Sequence, residues 1–308
     1  MTHASAVLAR SITWKSSKQS YLTARLLADR DLADDCLRAY AYFRWADDTI
    51  DIALTDPMAR LAFVERQKAL IERLYQGARP GDLSPEEQML ADLIAHDRGP
   101  DRGLRSFIVN FMAVLEIDAG RRGRLASRSE LAAYTSCLAT AVMDGLQYFI
   151  GNGHPYPHTP DRTLAVVGAH ITHMLRDMRA DLADGLVNVP AETLQARGLN
   201  LEDVEGTAFR QWVREQVGAA RAGFRRGQGY IDSLDLLRCK LAGVWYCARF
   251  ARVLDVIERD GYRLRREYAC RHAPSAWLEM AWLGVVVTLK HCLRPIRPAF
   301  SRLRARAG

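Results

Sequence analysis

Apolar residues recur three and four positions apart over most of the chain, which is the period of one helix face. The pattern predicts long helices over 32–52, 57–76, 85–96, 103–118, 128–150, 163–182, 204–234 and 236–260. Breakers separate them: the Gly77 to Gly81 segment, Gly99-Pro100, the Gly151 to Pro157 segment, and Pro190. Few stretches alternate as a half-buried strand would, and there is no repeat of fixed period. Long amphipathic helices with short connections predict an all-α fold, a single large helical bundle. No polar linker is long enough to divide the chain, so residues 1–289 are expected to form one domain. Residues 290–308 differ in kind: Lys290, Arg294, Arg297, Arg302, Arg304 and Arg306 occur with no acidic residue, and the segment reads as a basic C-terminal tail.

Composition narrows the function classes. With 308 residues, 49% of them hydrophobic and 26% charged, the chain can bury a substantial core and is not disordered by composition. Basic residues outnumber acidic ones 43 to 36. Only Lys15, Lys18, Lys68, Lys240 and Lys290 are lysines; the rest are arginines, whose rigid fork suits phosphates and carboxylates. On composition alone, a preference for arginine codons together with solvated helix faces is the simpler account of the surplus. No uncharged apolar run reaches the roughly 18 residues of a membrane-spanning helix, and the N-terminus lacks the basic-then-apolar order of a signal peptide. A cytoplasmic protein is expected. The six cysteines show no C-x-x-C spacing, which argues against a zinc site or a disulfide framework. Nucleotide-binding glycine fingerprints, a P-loop and G-x-S-x-G are all missing; use of NADPH is left open without support. The apolar segment around Trp277, Trp282 and Val285, followed by the basic tail, can rest peripherally on an anionic membrane surface or form a last core helix with a soluble tail. No recognition motif accompanies the tail that would indicate nucleic acid.

Two aspartate clusters carry the chemistry. In the first, Asp47 and Asp51 stand four apart, with Asp48 between them and Arg44 one turn before. In the second, His173, Asp177 and Asp181 fall at successive turns of one helix face beside Arg176. One such pair is the ordinary pattern of a solvated face. Two of them, each inside an apolar helix and next to an arginine, place like charges where a cation between them would relieve the repulsion. Mg²⁺ prefers oxygen ligands and bridges carboxylates to phosphates, so the spacing suggests a Mg²⁺–diphosphate site between two helices.

These residues resemble the signatures of the squalene/phytoene synthase family. Tyr40-Ala-Tyr-Phe-Arg44-Trp-Ala-Asp47-Asp48-Thr-Ile-Asp51 is similar to the family's Y-x-F-C-R-x-x-D-D-x-x-D. His170-Ile-Thr-His173-Met-Leu-Arg176-Asp177-Met-Arg-Ala-Asp181, followed by Gly185-Leu-Val-Asn-Val-Pro190, resembles Q-L-T-N-I-L-R-D-x-x-x-D and G-R-x-Y-x-P. The Ser17-Lys18-Gln-Ser-Tyr21 opening, Leu115-Glu-Ile-Asp118, Tyr134 and the 253–262 segment fall in the family's order.

The resemblance implies an isoprenoid-synthase fold with a central apolar cavity. It also implies a prenyltransferase that condenses two prenyl diphosphates, farnesyl or geranylgeranyl, head to head through an allylic carbocation. Carried over residue by residue, Asp47, Asp48, Asp51, Asp177 and Asp181 become Mg²⁺ ligands. Arg44 and Arg176 pair with diphosphate, and Tyr134 orients the cation or the leaving group. Ser17, Lys18, Tyr21, His170 and His173 are expected at the substrate site. The departures fall mostly on cavity walls: His170 and His173 replace Gln and Asn, Thr140 and Met143 replace glycines, and Leu186 and Asn188 replace Arg and Tyr. Altered walls leave two further readings open: a terpene cyclase that ionises a single prenyl diphosphate, and a catalytically silent relative acting as an interaction protein.

Overall fold

A computed structural model of the chain describes residues 2–99, 103–268 and 274–293. Among them are twelve α-helices and no strand: α1 (Thr2–Ser16), α2 (Lys18–Leu27), α3 (Ala33–Asp48), α4 (Pro57–Tyr75), α5 (Pro85–Ala95), α6 (Leu104–Arg121), α7 (Arg128–Ile150), α8 (Leu164–Ala183), α9 (Ala191–Arg197), α10 (Thr207–Ser233), α11 (Leu237–Arg259) and α12 (Pro274–Cys292). The all-α expectation holds, and the eight predicted helices match α3 to α8, α10 and α11 to within a few residues. The 32–52 prediction differs in one respect. At Asp48 the α-helix gives way to a wider π-helical turn, Thr49–Ala53, which carries Asp51. Such turns concentrate at functional sites.

Local chemistry explains where the helices start. Ser84 and Ser127 each accept from the backbone N–H three residues on, while Glu87 and Glu130 reach back to the serine N–H, so both α5 and α7 begin in a capping box. Asp56 caps α4 ahead of Pro57. Helix α1 is absent from the predicted set because its apolar positions form no continuous stripe; it is held by burial of Ala6, Ala9 and Thr13 against its neighbours.

Two apolar cores flank the bundle's interior. One gathers α1 to α7 around Leu37, Tyr42, Phe43, Leu93, Ile108 and Leu115. The other gathers α8 to α11 around Leu175, Met178, Phe209, Trp212, Val213 and Leu254. Helices α8 and α10 meet through a seam of glycines. A Cβ at Gly227 would lie 2.6 Å from that of Ala165, and one at Gly223 would lie 2.8 Å from the Leu164 carbonyl oxygen. Only glycine permits that approach.

Between α7, α8, α10 and α11 lies a narrow apolar pocket walled by Met143, Leu146, Val166, Ile231, Gly243 and Tyr246 among others. Met143, one of the residues replacing a family glycine, stands in the wall of this pocket. Among the described residues no helix is long and apolar enough to cross a membrane, and Cys36, Cys137, Cys239, Cys247 and Cys292 are free. The boundary expected at 289/290 falls inside α12; the basic residues from Arg294 onward lie outside the described residues.

Candidate active site

The carboxylates collect at one end of the bundle. Asp47 and Asp48 end α3, Asp51 follows on the π turn, Asp118 lies near the end of α6, and Asp177 and Asp181 lie in the last turns of α8. On α8, Val166 in the cavity wall precedes Asp177 by eleven residues, about 17 Å of helix at 1.5 Å per residue. The charged rim and the apolar cavity thus occupy different levels of one bundle, with Tyr134, His170 and His173 at levels between.

The sequence spacing alone did not show that α6 joins the two signatures. Burial, then the charge of Asp51, and more weakly that of Asp118, push the Asp47 carboxyl up to about 7. Burial and Asp177, again with Asp118 contributing, push Asp181 up to about 7 as well. Asp118 is itself raised, mainly by burial. One carboxylate on α6 therefore feels both clusters. The raised carboxyls of Asp47 and Asp181 mark crowded negative charge that Arg44 and Arg121 only partly offset. An all-oxygen donor set short of positive charge suits a hard divalent ion.

As the side chains stand, however, no three His, Cys, Asp or Glu groups among the described residues converge as a metal cage. The reason is visible in the ion pairs. Arg44 grips Asp48 with both a side and an end nitrogen and lies 3.5 Å from Asp47. Arg122 donates to Asp51 at 2.6 Å. Arg176 forks onto Asp177, which His173 Nε2 also meets at 2.7 Å. These contacts hold Asp177 well below the usual carboxylate range despite its burial. Arg44 and Arg176, expected on diphosphate, here occupy the carboxylates of their own helices. An arriving anion and cation would exchange these pairs for new ones.

Beneath the rim runs a hydrogen-bonded chain. Arg121 Nε donates to Asp118 at 2.8 Å, and its Nη1 donates to Asn188 Oδ1 at 2.8 Å. Asn188 Nδ2 in turn donates to Asp181 Oδ2 at 2.7 Å. The Arg121 guanidinium also covers the Tyr134 ring at 5.2 Å, and the buried Tyr134 hydroxyl and Asp118 act on each other's titration. Asn188, which departs from the family's tyrosine, thus ties α6 to the second aspartate cluster. His170 is buried with its ring 5.2 Å from that of Tyr134. Burial first, then the nearby His173 and Arg121, lowers it to about 4, so it is neutral at physiological pH. His173 is half exposed at the rim, with its ring 6.4 Å from that of Phe250.

Ser17, Lys18 and Tyr21 have local structural contacts. Ser17 caps α2 by accepting from the Ser20 N–H, Lys18 lies over the Trp14 ring, and Tyr21 meets Trp14 edge to face at 5.1 Å. One residue that sequence reasoning missed is Arg249 on α11. It is largely buried, and among the described residues no carboxylate pairs with it. Its guanidinium sits 5.6 Å from the Phe250 ring. Burial and the like charge of Arg176 push it down, and Tyr40 acts on both Arg249 and Arg44. Three arginines from α3, α8 and α11 therefore converge near the rim. Nothing in the spacing marks Arg249, which is one arginine among many.

The comparisons with known proteins come to rest on the same span. Residues 14–274 match the squalene/phytoene synthase family. Phytoene synthase of Cereibacter sphaeroides is 27% identical over 301 residues, covering 92% of this chain and 79% of that protein. Phytoene synthase of Thermus thermophilus is 24% identical over 258 residues, covering 80% and 82%. Among solved structures, squalene synthase HpnC from Alicyclobacillus acidocaldarius superposes with a TM-score of 0.66 at 19% identity, covering 85% of this chain and 95% of that one. A dehydrosqualene synthase in complex with ligand superposes at 0.71 and 15% identity, covering 93% and 97%. At these identities the superpositions establish a shared fold.

Proposed function

The chain belongs to the squalene/phytoene synthase family, and on that premise we propose that it is a Mg²⁺-dependent prenyltransferase joining two prenyl diphosphates head to head. The class of reaction, head-to-head condensation of prenyl diphosphates, follows from the family. The observation that carries the finer reading is the gathering of carboxylates from α3, α6 and α8 at one end of a bundle whose interior holds an apolar cavity.

In this reading Asp47, Asp51, Asp177 and Asp181 hold Mg²⁺, with Asp48 joining them once Arg44 turns to substrate. Bound there, the metal supplies Lewis-acid neutralisation of charge on a leaving diphosphate. The chain's own residues do the rest. Arg44 and Arg176 exchange their carboxylate partners for diphosphate oxygens, which their planar forks match. Tyr134, fixed between Arg121, Asp118 and His170, presents its ring to an allylic cation. His173 meets the diphosphate at the rim, and neutral His170 adds no charge next to the cation. The cavity walls exclude water that would otherwise quench it. Farnesyl and geranylgeranyl diphosphate are the candidate substrates, met from the aqueous side; Ser17, Lys18 and Tyr21 shape the substrate mouth through α1 and α2.

A second reading, cyclisation of a single prenyl diphosphate, is favoured by one feature: Met143 fills space in the cavity wall. Incubating the purified protein with each diphosphate and Mg²⁺, then analysing the extract by mass, separates the two. A C30 or C40 product is expected. A cyclic C15 or C20 hydrocarbon would establish the second reading instead. No diphosphate release from either substrate, unchanged in Asp47→Ala, would point to a silent relative.

A further inference from the structure

Helix α12 breaks the rule that the outer face of a surface helix is polar. Leu278, Trp282, Val285 and Leu289 follow one another at i, i+4, i+7 and i+11, and all four are exposed: Leu278 by 74%, Trp282 by 65% and Leu289 by 56%. Ala281 and Leu293 extend the same stripe. The opposite side is apolar too and is already used. Leu283 and Val287 pack on Ala165, Ile231 and Val244, and the Trp245 indole N–H donates to the Met280 carbonyl at 2.9 Å. The helix therefore has one apolar face for its own core and another with no partner among the described residues. Exposed apolar stripes of this kind mark interaction surfaces.

Charge decides what covers it. Glu279 is the one acidic residue of the helix, and Arg252 neutralises it. At the other end stand Lys290 and His291, followed in sequence by Arg294, Arg297, Arg302, Arg304 and Arg306 with no acidic residue. A second copy of the chain docking through this face would bring two such basic ends into one small assembly, where they repel. An anionic lipid surface attracts the same charges and buries the stripe, and aromatic residues such as Trp282 favour the headgroup boundary.

We propose that α12 lies flat on an anionic bilayer, with Leu278, Trp282, Val285 and Leu289 in the headgroup–acyl boundary and the basic end over acidic headgroups. The helix does not span, since it is too short in uncharged apolar length. Its inner face touches Ala165 and Ile231, which also wall the apolar cavity. The cavity is thereby brought within one helix of the lipid, and the carboxylate rim stays at another level of the bundle. The proposal stands whichever reaction the site performs.

The test is flotation of the purified full chain with phosphatidylcholine vesicles, with and without phosphatidylglycerol, alongside light scattering in solution. The wild type should float with the anionic vesicles, bind at least tenfold less to phosphatidylcholine alone, and detach as salt rises. W282E/L289E should lose at least tenfold in binding while keeping the wild-type melting temperature and diphosphate-releasing activity, because both positions are exposed. Three results would overturn the proposal: a wild type that stays in solution with both vesicles; a variant that floats as well as the wild type, leaving the tail alone as the anchor; or a wild-type dimer that the substitutions split without any vesicle binding, which makes a second copy the occupant.

Discussion

Arg121→Met tests the chain of contacts beneath the carboxylate rim. The Arg121 side chain is 5% exposed and holds Asp118 through two nitrogens, at 2.7 and 2.8 Å, and Asn188 through a third at 2.8 Å. Methionine keeps much of the volume and removes every donor. Asp118, itself mostly buried, is then left beside Asp47 and Asp181 with no cation. Breaking a buried pair from one side costs about 3–5 kcal/mol, and the orphaned Asn188 carbonyl overlaps with that loss rather than adding to it in full. A destabilisation of about 4 kcal/mol is expected. At roughly 2 °C per kcal/mol for a chain of this size, the melting temperature falls by about 8 °C. Urea unfolding followed by circular dichroism measures the free energy, and a melt measures the shift. Asp118→Asn in the Arg121→Met background should recover more than half of the loss, because it removes the stranded charge. In the single variant the deficit should also shrink as pH falls. A carboxyl raised in the folded state is stabilising below its unfolded value, and that benefit is lost as pH climbs through the folded one. An Arg121→Met protein as stable as wild type, or one that Asp118→Asn fails to rescue, would refute the bridging role.

Three other outcomes follow from the site. Asp177→Ala should abolish diphosphate release, and it should lower the melting temperature by several degrees because the mostly buried Arg176 loses its carboxylate while the exposed His173 can turn to water; retained turnover in an extract assay would exclude Asp177 as a metal ligand. Arg249→Met should reduce kcat/KM roughly a hundredfold, the scale of losing one preorganised charge at a reacting anion, and leave stability unchanged or higher because an unpaired, largely buried cation is removed; steady-state kinetics and a melt read both. Wild-type stability should fall, relative to His170→Gln, between neutral pH and about pH 4.5. His170 is lowered to about 4, so the unfolded chain takes up a proton near 6.5 that the folded one refuses, a difference of about 2–3 kcal/mol; parallel urea titrations at the two pH values that show no difference would mean His170 is hydrated.

The helices with a continuous apolar stripe were legible because burying one face requires the 3.6-residue period, whatever it packs against. Both aspartate clusters were legible for a related reason, since residues four apart share a face of any helix. Asp118 and Arg121 form a D-x-x-R pair of the same kind, but i,i+3 ion pairs are ordinary on solvated helices, and only burial distinguishes this one. Ser17 shows the limit of a motif: its hydroxyl completes the first turn of α2, a local task that a motif resemblance does not separate from substrate contact.

Sequence alone settled the fold class, the family and the two carboxylate-bearing helices, because each rests on periodicity or on spacing within about a dozen residues. What the tertiary structure decided depends on separation in space. It put Asp118 between clusters roughly 130 residues apart in the chain, set Asn188 as the link from Arg121 to Asp181, left Arg249 without a counter-charge among the described residues, and turned one side of α12 outward. Hydrophobic burial is blind to which apolar face finds a partner, and Coulomb interactions depend on distance through space and on solvent exclusion. Neither is written in the local order of residues, and both arise only when the helices pack.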